Sequence, residues 1–259
     1  MTLLVSICGL ALGVLFGAAW VVSVADSAPN LSDLRAQHHH PLTEIFAADG
    51  TPLGYVHSNW LYNHVAGNRI PTLMKDATVA IEDRRFWHHG ALDYQGIIRA
   101  GIKDLFAHNG GLQGASTLTQ QLVDVLYLDG TKYAVPGHHD LKYKIIQAKL
   151  ADQLYRQHSK TWILNSYLNN APYGTVGGET AIGVGGASQV FFNKPVWKLD
   201  LAQIALLAGL PQSPTNYNPF ESPGQALTRP ASPRASSAGR SGGSRSLKRR
   251  SYASRNGPR

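Results

Sequence analysis

The first part of the chain is a long apolar run. Residues 2–25 contain no Asp, Glu, Lys or Arg. As a helix this run would be about 36 Å long, and the hydrocarbon core of a bilayer is about 30 Å thick. We therefore predict a transmembrane anchor over residues 1–25. A cleaved signal peptide is the alternative interpretation, because Ala25, Ser27 and Ala28 are small residues near a candidate cleavage point.

Beyond this run, the apolar pattern predicts a short β segment and then a mainly α domain. Asp49-Gly50 between two apolar stretches is typical of a hairpin, so residues 26–70 are interpreted as a linker and β-hairpin pedestal. Helical spacing then predicts one domain over residues 71–220. Its helices are predicted at residues 71–82, 116–126, 142–156, 160–168 and 199–210.

Composition changes abruptly after Phe220. Residues 222–259 hold nine of the 24 Lys and Arg residues and no Asp or Glu, so the net charge of +8 belongs to this tail. The body of the chain is close to neutral, which removes the charge argument for nucleic-acid binding. Residues 221–259 lack the apolar side chains that a core requires. They are predicted to be a basic disordered tail, or a frame-shifted or truncated remnant.

A first polar cluster lies at residues 81–90. It places Glu82 at the end of a predicted helix, where the helix dipole disfavours an anion. Burial beside Phe86 would also favour the neutral carboxyl group, and both effects suit a proton acceptor. Arg84 and Arg85 act in the opposite direction. A surface carboxylate paired with arginine is therefore the alternative.

A second polar cluster lies at residues 113–121. A turn of small residues precedes a helical start that is rich in hydroxyl and amide groups. Ser116 or Thr117 can cap the helix, and the helix N-terminus with its hydroxyl groups suits phosphate or sugar oxygens. Taken alone, this stretch is equally consistent with an ordinary capped helix.

Together the two clusters resemble the bacterial peptidoglycan glycosyltransferases, the module of class A penicillin-binding proteins and of their monofunctional relatives. The family's first motif is Glu-Asp followed by Phe and His, and its second is Gly-x-Ser-Thr-x-Thr-Gln-Gln. The matching residues are Glu82, Asp83, Phe86 and His89, then Gly114, Ser116, Thr117, Thr119, Gln120 and Gln121. Later stretches also fit the family, including Ser159-Lys160 followed by Ile163-Leu164. Motif order and spacing agree from about residue 44 to residue 220.

The resemblance implies a mainly α, lysozyme-like fold with an N-terminal transmembrane helix and a hydrophobic jaw within residues 101–128. The implied substrate is lipid II, a disaccharide-pentapeptide on undecaprenyl pyrophosphate. By carry-over, Glu82 is the general base of an inverting transfer, and undecaprenyl pyrophosphate leaves. The carried-over substrate-binding residues are Asp83, Arg84, Arg85, Phe86, His89, Gly114, Ser116, Thr117, Thr119, Gln120, Gln121, Lys144, Asn169 and Lys194.

The leaving diphosphate requires positive charge nearby. The resemblance points to Lys144 for this role, with Arg84, Arg85 and Lys194 as weaker candidates. No cofactor is required, although a divalent cation, Mg or Mn, is an option beside the diphosphate. No metal ligand is assigned with certainty.

Several residues depart from the family pattern, Asn165 and Ala91 among them, and Gln147 and Asp124 are the two that favour a non-catalytic scaffold. The third motif, Arg-Lys-x-x-Glu, aligns with Tyr143, Lys144 and Gln147, so an amide stands where the second important carboxylate is expected. Gln147 can form hydrogen bonds but carries no charge. Asp124 stands where the helix of the second motif usually has lysine. Because the motifs of Glu82 and Ser116 are intact, a divergent active enzyme is favoured over a weakened one.

Three functions are considered. The first is a glycosyltransferase without a transpeptidase domain, since no Ser-x-x-Lys, Ser-x-Asn and Lys-Thr-Gly set is found. The second is a catalytically weakened scaffold that binds lipid II or glycan. The third is a lysozyme-like hydrolase, which usually needs two carboxylates flanking the scissile bond.

The first function sets the expected partners and location. The partners are lipid II, the growing glycan chain, membrane lipid and other cell-wall synthesis proteins, with no nucleic acid. The expected location is the bacterial cytoplasmic membrane, crossed once, with the catalytic domain on the outer side.

Overall fold

The computed structural model describes residues 2–37, 44–55, 60–106, 116–131, 133, 140–215 and 217–221. Three features predicted from the sequence therefore lie wholly or partly outside the described residues. They are Gly114, the middle of the hydrophobic jaw at 107–115 and the basic tail at 222–259.

The N-terminal apolar run forms helix α1, Thr2–Ser27. Among the described residues, α1 is the one helix that is long and apolar enough to cross a membrane. Large apolar side chains such as Leu12 and Phe16 are exposed along it, whereas Val24 in its last turn is buried. The helix predicted for residues 2–25 is thus present, and it ends where it meets the rest of the protein.

The end of α1 is fastened to helix α5, Leu141–Gln157. Lys149 Nζ donates a hydrogen bond to the carbonyl oxygen of Ala28, at 2.8 Å. Gln153 Oε1 accepts from the backbone N–H of Leu31 at 2.7 Å, and Gln153 Nε2 donates to Asn30 Oδ1 at 3.1 Å. These bonds fix the exit of α1 against one face of α5.

The predicted hairpin is confirmed. Strands β1, Glu44–Phe46, and β2, Pro52–Tyr55, pair antiparallel. Asp49 Oδ1 accepts the backbone N–H of Thr51 at 2.9 Å, and Gly50 has φ +83°, a conformation that favours glycine. The local turn chemistry therefore accounts for this element.

A second, three-stranded sheet has the order β3-β5-β4. Strand β3, Trp60–Tyr62, pairs in parallel with β5, Glu179–Ile182, which pairs antiparallel with β4, Pro172–Val176. The sequence did not predict β4 and β5, which are short and joined by a glycine turn. It assigned residues 60–62 to the linker and pedestal, whereas β3 pairs with a strand from the far end of the domain.

The rest of the described body is mainly helical. Its helices are α2 Thr72–Glu82, α3 Tyr94–Phe106, α4 Leu118–Val123, α5, α6 Lys160–Asn170, α7 Gly183–Phe192 and α8 Leu201–Gly209. The five helices predicted from spacing are confirmed as α2, α4, α5, α6 and α8. Helices α3 and α7 were not predicted, and α7 begins with three glycines in four residues, a poor composition for a helix.

Helix α4 lies at the centre of the core. It packs against α5 and α6, and its residues Leu118, Leu122 and Val123 are fully buried. A five-residue π-helical turn, Asp124–Leu128, continues it. Because α4 is surrounded by other elements, the polar side chains that it carries must find partners inside the protein.

Candidate active site

Glu82 is the last residue of α2, and its carboxylate is held by the chain. Gln121 Nε2, on α4, donates to Glu82 Oε2 at 3.1 Å, and Tyr167 OH, on α6, donates to Gln121 Oε1 at 2.9 Å. A carboxylate only accepts and the phenol here donates, so one orientation of the Gln121 amide satisfies both neighbours. Burial and the charge of Glu82 raise the pKa of Tyr167 and of the fully buried Tyr173. Both phenols therefore keep their protons.

Asp83 joins three segments of the site. Its Oδ2 accepts the backbone N–H of Leu118, the first residue of α4, at 3.0 Å. Its Oδ1 lies 2.8 Å from His89 Nε2, and His89 Nδ1 lies 2.7 Å from the carbonyl oxygen of Gly90. The side chains of His89 and Asp83 are both 5% exposed, so their contact is shielded from water. Asp83 and His89, predicted to bind substrate, thus link α2 to α4.

Lys160 is a residue of this region that the sequence did not single out as a site residue. Its Nζ donates to the carbonyl oxygens of Phe86 and His89 and lies 5.0 Å from the centroid of the buried Phe86 ring. Burial lowers the pKa of Lys160, and the charge of Asp83 opposes this effect. The Ser159-Lys160 pair was part of the family resemblance, and this motif was the available signal.

Arg84 and Arg85 each contact another group of the chain. Arg84 is exposed, and its Nε donates to the carbonyl oxygen of Ala80 at 3.2 Å. Arg85 forms an ion pair with Asp93, with Nη1 and Oδ1 3.2 Å apart. The structure thus gives Arg85 an intramolecular counter-ion, while substrate binding by either arginine stays a prediction.

The start of α4 is a complete capping box. Thr117 Oγ1 accepts the backbone N–H of Gln120 at 3.2 Å, and Gln120 Oε1 accepts the backbone N–H of Thr117 at 3.0 Å. Thr117 Oγ1 also donates to the carbonyl oxygen of Ala91 at 2.7 Å. The preceding hydroxyl, Ser116 Oγ, accepts from Lys144 Nζ at 3.2 Å. The motif is therefore a helix cap, and it also positions a cation.

Lys144 belongs to a partly buried cluster of polar side chains. Lys144 Nζ donates to Gln147 Oε1 at 2.9 Å, Gln147 Nε2 donates to Asp124 Oδ2, and Tyr143 OH donates to Asp124 Oδ1 at 2.6 Å. Burial lowers the pKa of Lys144, whereas the charge of Asp124 opposes this effect. Burial and Asp124 together raise the pKa of Tyr143. Two departures from the family pattern, Asp124 and Gln147, are therefore in contact.

Three other residues predicted to bind substrate are Asn169, Thr119 and Lys194. Asn169 is buried, and its amide pairs with the backbone N–H and carbonyl groups of Val65 at 2.8 and 3.0 Å. Thr119 is buried in α4, and Lys194 is exposed after the C-terminus of α7. Asn169 thus holds the loop that follows β3, and the substrate roles of all three stay predictions.

A divalent cation beside the diphosphate stays a prediction. No group of three or more His, Cys, Asp and Glu residues that could hold a metal occurs in the described part of the chain. The Asp124 carboxylate faces the donors of Gln147 and Tyr143, and the ammonium of Lys144 lies nearby. Mg²⁺ and Mn²⁺ prefer several oxygen ligands. A cation bound here would therefore take most of its ligands from the phosphate oxygens of a substrate and from water.

These features define a class of protein. A mainly helical domain follows an apolar N-terminal helix. Its central helix holds a carboxylate through Gln121, and Ser116, just before the cap of that helix, contacts an ammonium. A carboxylate and an ammonium held in this way suit a group-transfer reaction in which a proton is removed from the attacking group and an anion leaves. The family model described as Transglycosylase matches residues 49–233, and the chain belongs to this family.

Curated relatives agree with this assignment. The chain is 35% identical over 228 residues to penicillin-binding protein 1A of Neisseria cinerea, a match that covers 85% of the chain and 27% of that protein. It is also 35% identical over 228 residues to penicillin-binding protein 1A of Aquifex aeolicus, covering 88% and 30%. The chain spans less than a third of the length of these relatives. The resemblance to class A penicillin-binding proteins is confirmed.

Proposed function

We propose that this chain polymerises lipid II into glycan strands at the outer face of the bacterial cytoplasmic membrane, anchored by α1. Family membership supports peptidoglycan glycosyltransferase activity in general. The observation that carries the more specific proposal is the arrangement around α4. One side chain of this helix fixes the Glu82 carboxylate, and the hydroxyl before it contacts the Lys144 ammonium.

The two fixed groups match the two charges that the reaction develops. The 4-hydroxyl oxygen of the acceptor sugar attacks the anomeric carbon of the donor and gives its proton to Glu82. The bond between that carbon and the diphosphate oxygen breaks with inversion. The electron pair leaves on undecaprenyl pyrophosphate, whose charge Lys144 offsets. Gln121 and Tyr167 hold Glu82 in place through these steps.

The loop that follows Glu82 supports the same proposal. Asp83 and Lys160 fix this loop over residues 83–90, so the base is held by buried hydrogen bonds rather than by solvent. A preorganised carboxylate needs little rearrangement when the proton is transferred. The proposed lysozyme-like fold and the growing glycan chain as partner belong to the same hypothesis.

The test is lipid II polymerisation by the full chain in detergent, comparing the wild type with Glu82→Gln. The amide keeps the size of the side chain but cannot accept the proton. We expect glycan polymer from the wild type, inhibited by moenomycin, and a loss of at least about 100-fold in the variant. Polymer formation at the wild-type rate by Glu82→Gln would refute the role of Glu82.

A scaffold is the second candidate, and Gln147 is the observation that favours it. A neutral amide stands at the position where the family pattern has a carboxylate, and it is fully buried. A scaffold would bind lipid II tightly and form no polymer with the wild type or with Gln147→Glu. Release of fragments from purified cell wall would instead indicate a hydrolase.

A further inference from the structure

The orientation of the Gln147 amide has a specific cause. Two of its neighbours have opposite hydrogen-bonding character, because the Lys144 ammonium can only donate and the Asp124 carboxylate can only accept. One orientation, with the carbonyl oxygen towards Lys144 and the amide nitrogen towards Asp124, satisfies both. A third neighbour, Gln120, is consistent with the same orientation, since its Nε2 donates to Gln147 Oε1 at 3.3 Å and its carbonyl oxygen accepts from Gln147 Nε2 at 3.4 Å. Gln147 is fully buried, so water does not substitute for these partners.

The position of Asp124 has a structural cause as well. Asp124 is the first residue of the π-helical turn that follows α4, and the backbone N–H of Asp129 bonds to its carbonyl oxygen at 2.8 Å. The side chain is oriented towards α5, where Tyr143 OH and Gln147 Nε2 donate to its two oxygens. Helix α5 carries Lys144 between these two donors in the sequence.

We propose that Asp124 is a positioning residue of the proposed transferase site, which presents Lys144 as a charged group to the diphosphate of the donor. Asp124 acts in two ways. It fixes the Gln147 amide, whose carbonyl oxygen holds Lys144 Nζ beside Ser116 Oγ. It also supplies negative charge to a lysine whose burial disfavours the ammonium form. This inference rests on the proposed function.

Asp124 and Gln147 both depart from the family pattern, and they contact each other. A carboxylate is absent at position 147 of α5, and one is present at position 124, in direct contact with the residue that replaces it. The carboxylate near Lys144 therefore lies at the π-helical turn after α4 in this chain, whereas the family pattern places one on α5. In this chain, Asp124 supplies a negative charge to set against that of Lys144, which limits the cost of partly burying either group.

The test exchanges the two functional groups. Asp124→Asn removes the charge but leaves an amide that can still contact Tyr143 and Gln147. Gln147→Glu places a second carboxylate against Asp124. The double variant D124N/Q147E moves the charge to α5 and restores a complete set of partners, because the introduced carboxylate would accept from Lys144 and from the new amide. The matched control is Asp152→Asn, an exposed carboxylate on α5 that pairs with Arg156.

Polymerisation by the full chain in detergent is the first readout. We expect each single variant to be slower than the wild type by about tenfold or more, and the double variant to recover to within about threefold. Asp152→Asn should match the wild type. A Gln147→Glu variant faster than the wild type, or a double variant no better than the slower single variant, would overturn the proposal.

The second readout follows the charge of Lys144 without requiring activity. Labelling of amines with acetic anhydride across a pH series, read by mass spectrometry, gives the midpoint at which Lys144 becomes reactive. We expect this midpoint to fall by roughly one pH unit in Asp124→Asn and to return in D124N/Q147E. An unchanged midpoint in Asp124→Asn would overturn the proposal. Absence of polymer with the wild type would instead count against the proposed function.

Discussion

Asp83 is the residue whose loss should damage the site most by structural means. Asp83→Ala removes the acceptor of the Leu118 N–H and the partner of His89 Nε2, which lie 3.0 and 2.8 Å from the carboxylate oxygens. Leu118 is fully buried and Asp83 is 7% exposed, so water cannot take over these contacts. Leaving a buried donor without its acceptor typically costs about 1–3 kcal/mol, and two donors lose theirs here, which gives a total of about 3–5 kcal/mol. We expect the free energy of unfolding to fall by that amount.

Asp83→Asn is the informative comparison. Its carbonyl oxygen can still accept the N–H of Leu118, and its amide can donate to a neutral His89 ring, so the expected loss is roughly 1–2 kcal/mol. Asp152→Ala, which removes an exposed pair with Arg156, should cost under about 1 kcal/mol.

Urea unfolding of the full chain in mild detergent, followed by far-UV circular dichroism, measures these differences. The order of the losses is as informative as their size. Asp83→Ala within about 1 kcal/mol of Asp83→Asn would refute the view that the carboxylate anchors the start of α4.

Three further predictions concern other contacts. Tyr167→Phe removes the donor that orients Gln121, and we expect the turnover rate of polymerisation to fall about fivefold to tenfold, with the Michaelis constant nearly unchanged. Gly186→Ala should lower the free energy of unfolding by about 1–3 kcal/mol, since the added Cβ would clash with the carbonyl oxygen of Leu61; equal unfolding curves would contradict this. The rate should decline with rising pH below the ordinary range for lysine, because burial lowers the pKa of Lys144 and the neutral amine no longer offsets the diphosphate charge; Lys144→Arg should remove this decline in pH-rate profiles.

The helices that sequence reasoning predicted are those with local signals. Apolar spacing together with a capping residue or proline marks α2, α4, α5, α6 and α8. Helix α7 lacks such a signal because its glycines serve close packing, and a Cβ on Gly185 would clash with the carbonyl oxygen of Asn63. Strand β3 has three residues and a partner near residue 180, so no local pattern could reveal it.

The residues of the site could be predicted from sequence motifs, but the hydrogen bonds between them could not. Glu82 and Gln121 follow from motif spacing, whereas the contact between their side chains depends on the packing of α2 beside α4. Lys160 belonged to a noted motif, yet its role depends on carbonyl groups more than 70 residues away. Asp124 and Gln147 were noted separately as departures, and only the packing of α4 on α5 shows that they touch.

The attachment of the end of α1 to α5 couples the orientation of the N-terminal helix to that of the helix that carries Lys144. Lys149 and Gln153, which hold the end of α1, lie on the same helix as Lys144, and five residues of helix correspond to about 7.5 Å along its axis. A helix that is longer than the local bilayer thickness tilts. For an α1 that spans the membrane, as proposed above, tilting in a thinner bilayer would turn α5 with it and so alter the direction from which Lys144 meets the diphosphate of the proposed substrate. The rate of such an enzyme would then depend on bilayer thickness as well as on substrate concentration.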